Sequence, residues 1–304
     1  MMHRDLSIID ILKFASENHS LSEVVSLRTE GDMHRYNYTD CLSRVCKLAN
    51  ALVGLGIKKG DRVATLAWNG YRHLELYYGI SGIGAVCHTI NPRLSPEQML
   101  YIIEHAGDRL LFVDTTFVPI IEKLIPKLPK NLVIIVMASS DDSSTLSDNF
   151  LNYEQLILES SHDIIWPELP ENTAAGLCYT SGTTGNPKGA LYSHRSTVLH
   201  ALTTSLNLGP SLGDGMKVLP VVPLFHVNAW GLPYAAPLTG TSLIFPGPNL
   251  DGASLFDLMD QENVNSAWGV PTVWLGLLEE IRKQERVPSQ FQNVVIGGSA
   301  APKS

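Results

Sequence analysis

Residues 179–189 read Tyr-Thr-Ser-Gly-Thr-Thr-Gly-Asn-Pro-Lys-Gly, and the stretches on both sides of this run are apolar. We predict that residues 174–178 and 190–193 form two strands, which this run joins as a hairpin loop. Its glycines allow positive φ, so successive backbone N–H groups can converge on an anion. Hydroxyl groups add donors, and Lys188 adds a mobile positive charge. The run therefore predicts a polyphosphate-binding loop, with a plain solvated turn as the alternative.

The spacing excludes two common phosphate motifs. A Walker A loop counted from Gly182 would need glycine where Pro187 stands. The glycines between residues 79 and 84 follow a helical pattern, whereas a dinucleotide fingerprint follows a strand. The sequence also contains no Gly-x-Ser-x-Gly elbow and no transition-metal spacing of His, Cys and carboxylate residues. The loop belongs to a different class of phosphate site.

Composition limits the class of protein. The 304 residues are 44% hydrophobic, which is enough for one large or two ordinary globular domains. A formal net charge of −8 disfavours nucleic acid and anionic membranes as partners. The four cysteines have no Cys-x-x-Cys spacing, which predicts reduced thiols and a cytoplasmic location. No apolar stretch is long enough for a transmembrane segment, and the first residues lack the core of a signal peptide.

Helix and strand patterns alternate along the chain. Helices are predicted at residues 39–54, 71–82, 95–105, 116–124, 254–262 and 272–284, and strands at 62–67, 85–90, 110–113, 132–136, 217–220, 241–245, 265–268 and 293–296. This alternation predicts an α/β fold with mainly parallel sheets covered by helices. Residues 139–171 are predicted to be an exposed linker. We therefore expect two α/β subdomains, at 1–170 and 171–304, with the phosphate loop in the second.

Several segments resemble one enzyme family. The run at 179–189 resembles the phosphate-binding motif of the AMP-forming adenylating enzymes, which include acyl-CoA synthetases, firefly luciferase and peptide-synthetase adenylation domains. The stretch Pro-Leu-Phe-His-Val-Asn-Ala-Trp-Gly at 223–231 is similar to the segment that lines the acyl and nucleotide pockets of fatty acyl-CoA ligases. Residues 294–302 resemble the segment that approaches adenine in that family. The resemblance implies the large N-terminal domain of an acyl-CoA synthetase.

The resemblance also implies residue roles. The phosphate and adenine positions would be Thr180, Ser181, Gly182, Thr183, Thr184, Gly185, Lys188, Gly297, Gly298, Ser299 and Ala300. The acyl substrate would meet His226, Val227, Asn228, Trp230, Gly269, Val270 and Pro271. His226 would be catalytic, beside the acyl carboxylate and the α-phosphate, and Thr180 would be a metal ligand. The alternatives are a core or surface histidine, aromatic packing and an ordinary glycine turn.

The implied reaction joins a fatty acid to coenzyme A. Attack of the carboxylate on Mg2+-bound ATP would give an acyl-adenylate, and thiolysis would give the thioester, so ATP, Mg2+ and coenzyme A are the expected cofactors. A medium or long acyl chain is expected because the segment at 223–231 is apolar and aromatic. Two alternatives remain: another acceptor, such as a carrier protein or luciferase-type chemistry, or a non-catalytic nucleotide- or acyl-binding fragment. The expected partners are these small molecules, and a homodimer is left open.

The family pattern also extends past the end of this sequence. Its downstream Tyr-Gly-x-Thr-Glu and Thr-Gly-Asp motifs and its small C-terminal catalytic domain have no counterpart before Ser304. The resemblance therefore implies an N-terminal part that is catalytically poor in isolation.

Overall fold

The computed structural model describes residues 4–140, 149–180 and 186–300. Its strands are Glu23–Leu27 (β1), Met33–Asn37 (β2), Arg62–Leu66 (β3), Val86–Thr89 (β4), Asp108–Asp114 (β5), Val133–Met137 (β6), Phe150–Asn152 (β7), Ala174–Thr180 (β8), Lys188–Ser193 (β9), Lys217–Pro220 (β10), Ser242–Phe245 (β11), Ser266–Gly269 (β12) and Asn293–Ile296 (β13). Its α-helices are Ile8–Asn18 (α1), Tyr38–Gly54 (α2), Tyr71–Gly82 (α3), Pro96–Ala106 (α4), Val118–Leu124 (α5), Tyr153–Glu159 (α6), His194–Asn207 (α7), Leu232–Thr239 (α8), Gly252–Gln261 (α9) and Pro271–Gln284 (α10).

The first of two compact units comprises residues 1–10, 42–68 and 72–199. Its seven-stranded sheet has the order β7-β6-β5-β3-β4-β8-β9, and every neighbouring pair except β8–β9 is parallel. Apolar residues of α4 and α5 pack on β3, β5 and β6 in one buried cluster that includes Ile102, Leu111 and Val136. Burial on both faces explains why the central strands are almost continuously apolar.

The start of α4 shows how local sequence sets an element. Ser95 accepts a hydrogen bond from the Gln98 N–H at 3.3 Å, and the Gln98 side chain accepts one from the Ser95 N–H at 3.0 Å. Pro96 occupies the first helical position, and Gly107 ends the helix in the left-handed conformation. This capping box satisfies N–H groups that the helix itself cannot pair. The helix start predicted from these residues is confirmed.

The second unit comprises residues 11–41, 69–71 and 200–304. Its six-stranded sheet has the order β13-β12-β10-β11-β1-β2, parallel except for the β1–β2 hairpin. Helices α9 and α10 cover one face, where Phe256, Met259 and Leu277 pack with Leu219 and Ile244. The predicted α/β class with mainly parallel sheets is confirmed.

The compact units divide the chain differently from the expected subdomains at 1–170 and 171–304. Hairpin β8–β9 extends the first sheet because β8 pairs with β4, and β1 joins the second sheet because Val24 pairs with Leu243. These pairings connect segments far apart in sequence, so no local composition change marks them. The subdomain division itself stays a prediction.

The expected linker at 139–171 contains ordered elements. Strand β7 and helix α6 lie within it, and Tyr153 at the start of α6 is fully buried. The Tyr153 hydroxyl donates to the buried Glu75 carboxylate at 2.5 Å. Residues 141–148 of the predicted linker lie outside the described residues. Within the described ranges, no helix is both long enough and apolar enough to cross a bilayer.

Candidate functional site

The predicted phosphate loop sits at the tip of hairpin β8–β9 in the first unit. Thr180 and Lys188 are the last paired residues of the antiparallel ladder, and the Thr180 hydroxyl lies 3.4 Å from the Lys188 carbonyl oxygen. Both side chains are exposed. The strands predicted on either side of the loop are confirmed. The loop predictions for Ser181, Gly182, Thr183, Thr184 and Gly185 fall outside the described residues.

The base of this hairpin is tightly packed. A Cβ on Gly189 would lie 2.9 Å from Leu177 Cδ1 and 3.5 Å from Tyr179 Cζ, so these two side chains pack over the glycine on the neighbouring strand. On β8, the Tyr179 hydroxyl lies 2.7 Å from His105 Nδ1, at the end of α4. Burial, and secondarily the negative charge of Asp108, raises the pKa of Tyr179. The tyrosine therefore stays neutral and ties β8 to α4.

A buried polar pair adjoins Tyr179. His88 Nδ1 lies 2.8 Å from Asp108 Oδ2, and both side chains are inaccessible to solvent. The His88 ring centre is 5.1 Å from that of Tyr179. Burial raises the pKa of Asp108, and the contact with His88 opposes that rise. The sequence analysis did not identify this pair, because the two residues lie on separate strands.

The other predicted site segments meet in the second unit. Strands β10, β12 and β13 are neighbours and run parallel, so their carboxyl ends lie at one edge of the sheet. Segments 223–231, 269–271 and 297–300 follow these three strand ends. The carboxyl edge of a parallel sheet is where α/β proteins commonly bind ligands. The tertiary structure thus brings together three segments that are separated in sequence.

Segment 223–231 has an unusual backbone. Val227, Asn228, Ala229 and Trp230 have φ between 45° and 55°, and Gly231 follows at 80°. Left-handed geometry costs an L-residue roughly 1–2 kcal/mol, so four such residues in succession form a strained turn. The N–H groups of His226 and Ala229 donate to the Pro223 carbonyl oxygen at 3.1 and 3.2 Å.

The side chains of this turn divide between solvent and core. His226 and Val227 are exposed, Asn228 and Trp230 are partly exposed, and Ala229 is buried. Gly231 is required as the exit residue, because a Cβ there would lie 2.5 Å from His200 Nδ1. The turn therefore presents a histidine and an apolar side chain to solvent from a firmly packed base.

Trp230 connects the turn to the end of β13. A Cβ on Gly297 would lie 2.8 Å from Trp230 Cη2, so the indole rests on the glycine backbone. Gly298 has φ 82°, and a Cβ there would lie 3.1 Å from Val270 Cγ1. Trp230, Val270, Gly297 and Gly298 are thus neighbours. Ser299 and Ala300 continue this segment with exposed side chains.

The residues after β12 are fixed by a tryptophan. Trp274 Nε1 donates to the Gly269 carbonyl oxygen at 3.2 Å, and a Cβ on Gly269 would lie 2.9 Å from the same indole. Val270 and Pro271 then lead into α10, with Pro271 at the first turn, where its missing N–H costs nothing. This packing contact supports the backbone at the carboxyl edge of the second sheet.

The sequence analysis missed Asn69. Its side chain is 4% exposed and makes three hydrogen bonds to the backbone between residues 220 and 224. The available signal was a lone amide that follows β3 after Ala67 and Trp68, where an apolar run stops. Such a residue often bonds to a backbone elsewhere in the fold, but its partner is not readable from sequence.

A family profile described as AMP-binding enzyme matches residues 14–304. This chain belongs to the AMP-binding enzymes. The family resemblance inferred from the phosphate loop is therefore confirmed.

Members of this family are similar to the chain over its whole length. It is 48% identical over 305 residues to the medium-chain-fatty-acid–CoA ligase of Ectopseudomonas oleovorans, covering 100% of the chain and 56% of that ligase. It is 45% identical over 307 residues to the 3-methylmercaptopropionyl-CoA ligase of Ruegeria lacuscaerulensis, covering 100% of the chain and 57% of that ligase. The chain thus spans a little over half the length of the curated relatives it matches.

The AMP-binding fold is also evident in three dimensions. The structure matches the inhibitor-bound N-terminal domain of FACL13 from Mycobacterium tuberculosis with a TM-score of 0.80 and 23% sequence identity, covering 98% of this chain and 71% of that chain. At this identity the likeness shows the fold, and the roles of individual residues stay predictions.

Proposed function

We propose that this chain is the carboxylate-activating part of a fatty acid–CoA ligase that forms AMP. A carboxylate oxygen of the acid attacks the α-phosphorus of ATP, the bond to pyrophosphate breaks, and acyl-AMP forms. The sulfur of coenzyme A then attacks the acyl carbonyl, and AMP leaves. Family membership and the CoA-ligase relatives support the reaction class. The structural observation that carries the proposal is the convergence of segments 223–231, 269–271 and 297–300 at one sheet edge.

In this proposal the first unit binds the triphosphate through hairpin β8–β9. Exposed Lys188 contributes a mobile cation. The other predicted phosphate-binding residues, 181–185, lie outside the described residues. The antiparallel pairing of β8 with β9 up to Thr180 and Lys188 supports the loop at its base. Positioning and charge neutralisation are what phosphoryl transfer most requires from a protein.

Mg2+ belongs to the same proposal. Thr180 exposes a neutral hydroxyl oxygen at the loop base, the hard donor type that Mg2+ accepts. The described residues contain no cluster of three or more His, Cys, Asp or Glu able to hold a metal alone. Thr180 would therefore be one ligand beside phosphate oxygens. When bound, the ion offsets negative charge on the phosphates.

Within the second unit, the residues proposed for the acyl group and for the adenine lie at one sheet edge. His226 is exposed on a rigid turn, so its imidazole can hydrogen-bond to the carboxylate or an α-phosphate oxygen. Val227, Trp230 and Val270 offer apolar surface for the acyl chain. Asn228, Gly269 and Pro271 would complete the acyl side. The adenine would approach the segment 297–300, in which residues 298–300 are exposed and Gly297 lies against the Trp230 indole.

The acid is proposed to be a fatty acid of medium or long chain. The apolar character of the 223–231 turn supports an uncharged acyl group, and the Ectopseudomonas oleovorans relative carries a medium-chain fatty acid in its name. The four cysteines form no disulfide, which supports a cytoplasmic site of action. The homodimer stays a prediction.

The test uses the polypeptide encoded by the complete reading frame, with ATP, Mg2+, decanoic acid and coenzyme A. We expect exchange of radiolabelled pyrophosphate into ATP that depends on the acid, and formation of decanoyl-CoA. Exchange without a thioester would favour a different acceptor. Binding of ATP and of a decanoyl-sulfamate analogue of acyl-AMP, without exchange, would favour the binding-module alternative. Absence of both binding and exchange would show that the proposal is wrong.

A further inference from the structure

Asn69 uses its whole amide on one stretch of backbone. Its Nδ2 donates to the carbonyl oxygens of Pro220 and Val222 at 2.7 and 3.0 Å, and its Oδ1 accepts from the Leu224 N–H at 2.7 Å. The two N–H donors of the amide thus pair with two backbone carbonyl oxygens, and its oxygen pairs with one backbone N–H. This match also sets the amide orientation, because a flipped amide would oppose like groups.

The three bonded positions lead directly into the strained turn. Pro220 ends β10, Val222 lies in the bend that follows, and Leu224 belongs to the turn that leads to His226. The Val221 and Val222 N–H groups donate to the Trp268 carbonyl oxygen at 2.9 and 2.8 Å on the neighbouring strand. The stretch is therefore held from both sides, by β12 through the backbone and by Asn69 through a side chain.

A strained turn persists only where its surroundings over-determine it. The left-handed residues 227–230 begin three positions after Leu224. Trp230 on Gly297 and the small Gly231 beside His200 restrain the far end of the turn. Asn69 restrains the near end, from which the exposed His226 side chain projects.

We propose that Asn69 is a positioning residue that holds the 223–231 turn, and thereby His226, in the geometry that binds the acyl-adenylate. The inference rests on the proposed function for the identity of the ligand. The hydrogen bonds from Asn69 to residues 220–224 do not depend on that function. No other residue type fits: aspartate lacks both donors, and glutamine adds a methylene in a buried site.

The experiment compares Asn69→Asp and Asn69→Ala with Asn152→Asp and Asn152→Ala. Asn152 is a matched control, 8% exposed, whose amide donates to the Ser139 carbonyl oxygen and accepts from the Gln155 N–H, each at 3.0 Å. Two quantities are measured on the complete polypeptide: hydrogen exchange of peptides covering residues 221–231, and affinity for the decanoyl-sulfamate analogue of acyl-AMP.

We expect the rate of hydrogen exchange in residues 221–231 to rise about tenfold in both Asn69 variants, because the hydrogen bonds of a buried amide are lost. Affinity for the analogue should fall by up to about 100-fold, because a displacement of about 1 Å in a site can cost that factor. The Asn152 variants should change neither quantity, even if their melting temperatures fall equally.

Unchanged exchange in residues 221–231 would overturn the inference, as would an affinity loss no larger than that of the Asn152 variants. A wild-type polypeptide that does not bind the analogue would instead refute the proposed function. In that case the hydrogen exchange of residues 221–231 in the Asn69 variants still decides whether Asn69 holds the turn.

Discussion

The indole of Trp230 rests on the backbone of Gly297, with Cη2 placed 2.8 Å from where a Cβ on that glycine would stand. One residue lies in a strained turn after β10, and the other directly follows β13. The contact can exist only because position 297 has no side chain. It couples the predicted acyl-binding segment to the predicted adenine-binding segment within the second unit.

Replacing Gly297 with alanine should displace the Trp230 indole. Overpacking of this kind costs about 1 kcal/mol or more. We expect lower stability in urea denaturation and about tenfold weaker binding of the acyl-AMP analogue, because roughly 1.4 kcal/mol corresponds to that factor. The control is Gly54→Ala, where a Cβ would meet nothing within 4 Å. Equal behaviour of the two variants would contradict the coupling.

Removing the Lys188 charge should weaken nucleotide binding without affecting the fold. The side chain is exposed, so Lys188→Ala should change the unfolding free energy by less than about 0.5 kcal/mol. A charged hydrogen bond to phosphate contributes about 1.5–3 kcal/mol, so ATP affinity measured by calorimetry should fall about tenfold or more. Lys58→Ala removes the same charge from an exposed turn elsewhere in the first unit. A Lys188 variant that binds ATP as well as the Lys58 variant would argue against the phosphate site.

Tyr179→Phe should loosen the base of the phosphate hairpin. The change removes the hydrogen bond between the tyrosine hydroxyl and His105 Nδ1, which contributes about 1 kcal/mol. We expect a small loss of stability and a several-fold loss of ATP affinity. Tyr192→Phe removes a hydroxyl from the opposite strand of the hairpin and leaves the His105 contact intact, so it should retain affinity. Identical ATP affinities in the two variants would mean that this contact does not position the loop.

Acid should destabilise the first unit through two buried histidines. Burial lowers the pKa of His73 and of His194 to about 4, from an ordinary value of 6.5. Between these values the unfolded chain binds the protons first, so the stability present above pH 6.5 is lost as the pH falls towards 4. Each histidine should contribute a slope of about 1.4 kcal/mol per pH unit.

The measurement is urea unfolding across that pH range. In the wild type, the Ile8 N–H donates to His194 Nδ1 at 3.1 Å. Glutamine at position 194 keeps an acceptor for this N–H, but its side chain cannot titrate. As the pH falls, the unfolding free energy of His194→Gln should therefore decrease less steeply than that of the wild type. The difference in slope corresponds to the one proton that His194 binds. His162→Gln, which changes a histidine whose side chain is 69% exposed, is the control for the substitution itself. Parallel curves for His194→Gln and the wild type would rule out a contribution from His194.

Local sequence predicted the elements whose causes are local. The capping box at Ser95, the helix stop at Gly54 and the strands on both sides of the phosphate loop depend on residues a few positions apart, and all are present. Strand β1 was not predicted, because it is stabilised by pairing Val24 with Leu243 in a distant segment. Helix α6 was missed because its polar neighbours masked the burial of Tyr153.

The sequence alone determined the fold class, the family and the segments predicted to carry the site, since periodicity and an ordered loop motif are written in consecutive residues. Only the tertiary structure decided that three of these segments share one sheet edge, that residues 227–230 turn left-handed, and that Asn69 bonds to the backbone between residues 220 and 224. Those features depend on strand order and on hydrogen bonds between distant residues. Such contacts form only when the whole unit packs, so no local pattern encodes them.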